Sequence, residues 1–362
     1  METNDSRYQA YIDILKEELV PAMGCTEPIA IAYAAAKARD ILGGLPDRVL
    51  ILASDNIIKN VKSVVVPNTG NQRGIEASAA AGIIAGDAAK VLEVISEVSD
   101  SERDDIRRFL DQTPVSVEKT EGNLTFDLVV TLFSGQSSAL VQISHFHTNI
   151  VLIKKDDDVI FRNQDCDEIE TAALTDRSLL NVKDILDFAE SVRLDEVTDL
   201  LQRQIDYNMK IARVGLSKDW GANIGSVLLD TWGEDIKTRA KALAAAGSDA
   251  RMSGCELPVV IVSGSGNQGI TASVPVIEYA KELQAATPTL YRALIVSNLV
   301  TIHQKTGIGR LSAYCGAVSA GVGAGAGICY LHGGRLKEVA HTIVNALATV
   351  SGIICDGAKP SC

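Results

Sequence analysis

The segment Leu124-Thr-Phe-Asp-Leu-Val-Val-Thr-Leu-Phe133 is rich in β-branched residues and lies between turn residues, which is the composition of a β-strand. Four more segments share this composition and are predicted as strands: Arg48–Ala53, Lys62–Val66, Ala139–Ser144 and Asn149–Lys154. Glu76–Ala89 and Ser101–Leu110, which lie between strands, have a helical pattern. We therefore predict an α/β unit that contains a mainly antiparallel sheet.

Helical patterns flank this unit on both sides. Residues Tyr8–Leu19 carry apolar side chains at helical spacing, and Pro21 ends that helix. An Ala-rich helix follows, with Pro28 at its first position and Thr26 or Glu27 as its N-cap. From about residue 208 the chain is mostly helical again. These patterns predict an α+β fold: a mostly helical domain, residues 1–45 and 201–362, with an inserted α/β domain, residues 46–200.

The composition limits the partners and the compartment. The formal net charge of −12 argues against nucleic acid or an anionic membrane as a partner. Residues 313–331 lack charge, but their high Gly content makes them poorly apolar, so we expect a buried helix and not a membrane span. The N-terminal sequence is acidic and unlike a signal peptide, and the seven cysteines are expected to be reduced. We therefore expect a cytoplasmic protein.

Three cysteines near the C-terminus form a candidate metal site. Two of them bound the segment Cys355-Asp-Gly-Ala-Lys-Pro-Ser-Cys362, in which Gly and Pro prevent a helix and let both sulfurs turn to one point. Cys315 supplies the third thiolate. Three thiolates can hold an iron–sulfur cluster with one iron open, and an open iron is a Lewis acid. The spacing alone fits three buried or merely reactive thiols equally well.

Cys329 is not expected to be a ligand of the same cluster. It lies 14 residues after Cys315 (329 − 315). On one helix this separation is about 21 Å along the axis, which is too long for a cluster a few Å across. Cys329 is therefore expected to be part of the core.

Two similar segments are candidate anion sites. Gly70-Asn71-Gln72 and Ser265-Gly266-Asn267-Gln268 each follow a predicted strand and precede a small-residue helix, so both can present backbone N–H groups and a helix N-terminus to a carboxylate. The second also matches a Gly-x-Gly-x-x-Gly dinucleotide pattern. The next candidate strand, Arg292–Val296, is not followed by the acidic residue that this pattern requires, so we favour a carboxylate site.

Cys25 and a histidine pair are further candidates. Cys25 lies just before a helix N-terminus, which favours a thiolate, although packing is the commoner role of free cysteine. His145 and His147 alternate, so in a strand both would point the same way. A metal pair, a substrate contact and a structural pair all remain open. We favour the substrate contact.

Four of these motifs together resemble the L-cysteine desulfidases, which are relatives of the α part of iron–sulfur L-serine dehydratases. The motifs are Gly24-Cys25-Thr26-Glu27-Pro28, Ser265-Gly266-Asn267-Gln268-Gly269-Ile270, Cys315-Gly316-Ala317-Val318 and Cys355-Asp356-Gly357-Ala358-Lys359-Pro360-Ser361-Cys362. The resemblance implies a 4Fe–4S enzyme that splits L-cysteine into hydrogen sulfide, ammonia and pyruvate. Chains of that family continue past the Pro-Ser-Cys element, on which this sequence ends.

The resemblance also implies roles for individual residues. Cys315, Cys355 and Cys362 are the implied cluster ligands, and Cys25 is the implied base. The substrate carboxylate is expected on the Asn267 segment, supported by the Asn71 segment or His147, and Lys359 either binds the carboxylate or balances the cluster charge. The expected partner is a small amino acid, with a homodimer as an open option. The same machinery acting on L-serine and a non-catalytic iron–sulfur sensor are the alternative functions.

Overall fold

The computed structural model describes residues 1–163, 174–309 and 314–355. The chain divides into two compact units. The helical unit contains the described residues within Met1–Pro21, Thr171–Arg251 and Leu257–Cys355. The sheet unit contains those within Ala22–Glu170 and Met252–Glu256. The domain boundaries predicted from the sequence, at residues 45 and 200, differ from this division and remain a prediction about domains.

The described residues form helices and strands in the following order. The helices are α1 Ser6–Glu18, α2 Thr26–Leu42, α3 Asp55–Val61, α4 Gly74–Ala85, α5 Asp100–Gln112, α6 Val182–Ser191, α7 Thr198–Ser217, α8 Ile224–Trp232, α9 Ile236–Met252, α10 Gly266–Glu282, α11 Thr287–Thr306, α12 Gly316–Leu331 and α13 Leu336–Thr349. The strands are β1 Pro21–Met23, β2 Arg48–Ala53, β3 Val115–Lys119, β4 Asp127–Ser134, β5 Ser137–Ser144, β6 Ile150–Lys155, β7 Asp158–Arg162 and β8 Pro258–Val260.

The sheet unit is built on a six-stranded sheet with the order β3-β2-β4-β5-β6-β7. Only the β2–β3 pair is parallel, and the other four pairs are antiparallel. Alternate β4 residues, Leu128, Val130 and Leu132, are fully buried, and helix α2 packs on β4 and β5. The predicted α+β fold with a mainly antiparallel sheet is therefore confirmed.

Two sequence-based strand predictions are wrong. Residues 62–66 form only an isolated bridge between Val65 and Arg73, because the chain turns back through a hydrogen-bonded loop closed by Val66 N–H and Gln72 C=O at 2.9 Å. Residues 292–296 lie inside helix α11, where they are mostly buried. Periodicity alone cannot distinguish a strand from a helix in a short β-branched segment that is buried on all sides.

The helical unit is a stack of helices that packs mainly through α10, α11 and α12. Asn208 of α7 ties strand β8 to this stack: its Nδ2 donates to Val260 C=O at 3.1 Å and to Ser273 Oγ at 3.0 Å, and its Oδ1 accepts from Val260 N–H at 2.8 Å. Across the described residues, no helix is both long enough and apolar enough to cross a lipid bilayer.

Candidate functional site

The N-terminus of helix α10 is the first part of the candidate site in the helical unit. Ser265 is its N-cap residue, and a two-residue turn at Ser263 (φ 48°) and Gly264 (φ 79°) leads into it. The sequence had suggested that Asn267 and Gln268 lie in a loop before the helix. They lie instead in its first turn. The first N–H groups of an α-helix have no partner within the helix, so this end is suited to an anion.

A buried arginine, which the sequence analysis did not identify, adjoins this helix end. Arg251 is only 3% exposed, and its Nη1 donates to Asn267 Oδ1 at 3.0 Å. A Cβ atom at Gly266 would lie 2.2 Å from Arg251 Nε, so only glycine fits there. Arg251 thus orients Asn267 and adds positive charge beside the helix N-terminus. The signal in the sequence was weak, because nothing near Arg251 separates it from a surface arginine.

Gln268 joins this helix end to the first predicted cluster ligand. Cys315 is the N-cap residue of α12, and Gly316 is the first residue of that helix. A Cβ atom at Gly316 would lie 2.3 Å from Cδ and Nε2 of Gln268, so the side chain of Gln268 packs directly on the glycine. The N-termini of α10 and α12 therefore meet beside Cys315.

Cys315 and Cys355 are brought close to one another by a short antiparallel bridge. Tyr314 pairs with Ile354, and Cys315 N–H donates to Ile353 C=O at 2.7 Å. Both cysteines are half-buried. Cys329 lies near the other end of α12, as the helix length required, but it is half-buried and not part of the core as predicted.

A buried lysine lies near the two cysteines. Lys305 of α11 is 4% exposed, and burial lowers its pKa, although the charges of Cys315, Cys355 and Glu18 oppose this shift. A lysine beside these two sulfurs suits a negatively charged cluster. The third predicted ligand, Cys362, and the predicted substrate contact Lys359 lie outside the described residues. Within those residues, no group of three or more metal-binding side chains comes together. The paired thiols and Lys305 nevertheless fit an iron–sulfur cluster completed by a third cysteine.

The sheet unit holds a second cluster of functional groups at the N-terminus of α2. Cys25 is the N-cap residue of this helix, so the predicted cap at Thr26 or Glu27 is wrong by one or two residues. Glu27 is buried, and its Oε2 accepts from Cys25 Sγ at 3.2 Å and from Thr26 Oγ1 at 3.1 Å. Its Oε1 accepts from Asn60 Nδ2 at 2.9 Å. Neither Glu27 nor Asn60 was identified as functional from the sequence.

His147 lies beside this cluster. Its Nε2 lies 4.0 Å from Glu27 Oε2, and its ring packs edge-on against Phe126. Burial would raise the pKa of Glu27, but His147 and the hydrogen bonds from Cys25 and Asn60 outweigh it and hold that pKa below its ordinary value.

The histidine pair does not lie in a strand. Strand β5 ends at Ser144, and His145 lies in the turn that follows with a positive φ of 71°. This turn is closed by hydrogen bonds from Phe146 N–H to Ser144 C=O and from Asn149 N–H to Phe146 C=O. His147 is buried whereas His145 is partly exposed, so the two side chains are in different surroundings.

The Asn71 segment differs from the Asn267 segment. Asn71 is exposed with a φ of 69°, and Gln72 is half-buried. Both precede α4, which begins at Gly74, so they lie in a turn before the helix. Their predicted contact with substrate stays a prediction.

Comparisons with known proteins identify the family of this chain. A profile of the serine dehydratase α-chain family matches residues 87–362. The chain belongs to this family. Similar relatives include three UPF0597 proteins. That of Desulfitobacterium hafniense is 60% identical over 100% of this chain and 84% of its own length. Those of Lachnoclostridium phytofermentans and Treponema denticola are 54% and 50% identical, over 98% and 100% of this chain, and the match covers 85% of the length of each. No solved structure matches the chain.

Membership of the serine dehydratase α-chain family confirms the predicted relation to the α part of iron–sulfur serine dehydratases, and with it a lyase-like enzyme. The family profile spans the α10 N-terminus, Cys315 and Cys355, so these parts of the helical unit belong to the shared region. Neither the substrate nor the cluster type is fixed by the family assignment. Both are therefore taken up as proposals.

Proposed function

We propose that this member of the serine dehydratase α-chain family is an L-cysteine desulfidase that depends on a 4Fe–4S cluster. It eliminates hydrogen sulfide from L-cysteine, and ammonia and pyruvate are the other products. The observation that carries the proposal is the packing of Gln268 on Gly316, which sets an anion-binding helix end beside the thiol of Cys315. A small amino acid held there by its carboxylate would have its β-substituent close to the thiolates.

The helical unit supplies binding and orientation. The N–H groups at the start of α10 bind the substrate carboxylate, and Arg251 fixes Asn267 by the 3.0 Å hydrogen bond. Cys315, Cys355 and Cys362 would hold the cluster. When bound, a cluster with an open iron supplies a Lewis acid for the leaving sulfur. The buried amino group of Lys305 lies near Cys315 and Cys355.

Proton removal is proposed for Cys25. Its thiolate takes the proton from Cα of the substrate, the C–H electron pair becomes the Cα–Cβ double bond, and the C–S bond breaks with release of sulfide. The enamine product takes up a proton at its β-carbon to become an imine, and water then releases pyruvate and ammonia. The position of Cys25 as N-cap of α2 supports this role, since a helix N-terminus stabilises a thiolate.

L-serine is the second candidate substrate. The matching family profile is that of the serine dehydratase α chain, which favours elimination of water from L-serine. The same residues would act, with hydroxide as the leaving group. Sulfide is the better leaving group at neutral pH, and the cysteine-rich motifs resemble the desulfidases, so we place L-cysteine first.

Anaerobic reconstitution with iron and sulfide, followed by assay with both amino acids, tests the proposal. We expect sulfide and pyruvate from L-cysteine in equal amounts, at a kcat/KM well above that for L-serine. The Cys315→Ser variant should lose this turnover, and Cys329→Ser serves as the matched control that keeps it. Pyruvate from L-serine alone would establish the second candidate, and pyruvate from neither amino acid would overturn both.

A further inference from the structure

The thiol of Cys25 and the carboxylate of Glu27 form a buried pair. Cys25 is 5% exposed, Glu27 is 7% exposed, and the Sγ–Oε2 distance is 3.2 Å. The carboxylate is fixed on its other side by Asn60 Nδ2 at 2.9 Å, and Thr26 Oγ1 donates to the same oxygen as Cys25. A carboxylate held by three donors has little freedom to turn away from the thiol.

The helix end and the Glu27 carboxylate act in opposite directions on the ionisation of the Cys25 sulfur. As N-cap residue of α2, the sulfur lies at the positive end of the helix dipole, which favours the thiolate. The Glu27 carboxylate accepts the S–H proton and would repel a negative sulfur, which favours the thiol. Burial raises the pKa of Glu27, but His147 and Cys25, the titratable groups that act on it among the described residues, lower it, and the net downward shift favours the carboxylate.

The two opposing effects decide how strong a base the Cys25 thiolate is. A thiolate stabilised only by a helix end is a weak base, because its affinity for a proton falls with its pKa. The Cα–H bond of an amino acid is a poor acid and calls for a stronger base. A carboxylate 3.2 Å from the sulfur restores proton affinity and provides an acceptor for the S–H bond once the proton has been taken.

We propose that Glu27 is a positioning residue for Cys25: its ionised carboxylate orients the thiol and opposes the loss of the thiol proton. The proposal builds on Cys25 as the base of the proposed elimination, and it adds the group that sets the proton affinity of that base. It assigns no contact between Glu27 and substrate.

Alkylation of Cys25 by iodoacetamide, followed across pH by peptide mass spectrometry of the full-length protein, tests the electrostatic part without any turnover. Glu27→Gln removes the charge and keeps the shape. We expect the midpoint of the alkylation profile to move about 1–3 pH units lower than in the wild type, the usual effect of one adjacent charge. Glu27→Asp keeps the charge, so its midpoint should stay near that of the wild type.

Glu278→Gln is the matched control, because Glu278 is equally buried at 2% exposure but lies on α10, and its recorded ion pairs are with Arg239 and Lys281. This control should leave the Cys25 profile unchanged. A midpoint that does not move, or moves upward, in Glu27→Gln overturns the proposal. If Glu27→Gln fails to fold, Glu27→Ala removes the same charge and replaces it in the comparison: a lower midpoint supports the proposal, and an unmoved or higher midpoint overturns it.

The assay of L-cysteine turnover separates this proposal from the proposed function. In Glu27→Gln, the acidic limb of the pH–kcat profile should move to lower pH with the alkylation midpoint, and the maximal kcat should fall because the base is weaker. If Glu27→Gln shifts the alkylation midpoint but the wild-type protein does not turn over L-cysteine, the desulfidase function is overturned and the role of Glu27 is kept. Normal turnover with an unmoved alkylation midpoint would keep the desulfidase function and overturn the role of Glu27.

Discussion

At the scale of single residues, two of the cysteines with proposed roles, Cys25 and Cys315, occupy the same kind of position. Cys25 is the N-cap of α2 and Cys315 is the N-cap of α12, and neither side chain accepts a capping hydrogen bond from its helix. The helix dipole therefore acts on both sulfurs in favour of the thiolate. What distinguishes them is the neighbouring charge: a carboxylate at Cys25 and the buried Lys305 near Cys315. The same backbone position thus holds the proposed base in one case and a proposed metal ligand in the other.

Removal of the Cys25 thiol tests its role as base. Cys25→Ala should lower L-cysteine turnover by about 10²–10⁴, the usual effect of deleting a positioned proton acceptor. The absorbance of the reconstituted cluster should be retained, and exchange of the substrate Cα hydrogen with deuterated solvent, followed by NMR, should stop. Loss of the cluster absorbance would instead identify Cys25 as a ligand, and continued exchange would show that another residue removes the proton.

The Glu27–His147 pair predicts a pH dependence of stability. The pKa of Glu27 is lower in the folded protein than its ordinary value of 4.5. Its ionisation therefore stabilises the fold above that ordinary value, and the contribution is lost as the pH falls through the lower folded pKa. His147→Gln removes the largest influence that lowers this pKa, so the acid loss should begin at higher pH. Urea unfolding midpoints from pH 7 to 3 measure it, with the exposed His341→Gln as control.

At the scale of helices and strands, glycine decides how closely α12 approaches α11. A Cβ atom at Gly323 would lie 2.1 Å from Thr301 Oγ1 and 2.4 Å from Ser297 C=O, both on α11. Two residues earlier, Gly321 is exposed with no atom within 4 Å of such a Cβ. The same helix therefore carries one glycine that packing requires and one that it does not. Because Cys315 is the N-cap residue of this helix, the close approach also fixes the position of the first proposed ligand.

This difference predicts opposite effects of one substitution. Gly323→Ala should lower the free energy of unfolding by about 1–3 kcal/mol, since the added methyl group overpacks the α11–α12 contact. Gly321→Ala should raise it by about 0.5–1 kcal/mol, because alanine favours the helix and meets no neighbour. Urea unfolding monitored by circular dichroism compares the two variants. A destabilised Gly321→Ala, or a neutral Gly323→Ala, would contradict the packing described for α12.

The elements show where sequence reasoning succeeds. Strand β2 was predicted at its observed bounds, Arg48–Ala53, because β-branched residues end there at turn residues. Strand β7 was missed, because Asp158–Arg162 is an exposed edge strand after an acidic turn and has no buried face to give it a pattern. The motif residues of the site were likewise visible in the sequence. Their buried charges, Arg251, Glu27 and Lys305, were not, because burial arises from long-range packing that one sequence does not display.

At the scale of the whole molecule, the proposed chemistry depends on ligands that are distant in sequence. Cys315 and Cys355 are 40 residues apart (355 − 315) and are joined by the Tyr314–Ile354 bridge after α12 and α13 have intervened. The ligand set can therefore form only when this helix pair has folded. This explains why the spacing matches no ferredoxin run, in which the ligands lie a few residues apart. It also makes cluster assembly a readout of the folded helical unit.

Cluster stoichiometry tests the ligand set. Anaerobic reconstitution should give about four irons per chain with the absorbance of a cubane cluster. Serine at Cys315, Cys355 or Cys362 should abolish that absorbance, because each removes one of three thiolates. Cys329→Ser should keep it, since about 21 Å of helix separates Cys329 from Cys315. Iron and acid-labile sulfide assays on the same samples make the comparison quantitative. A cluster that survives without Cys315 but not without Cys329 would move the site to the other end of α12.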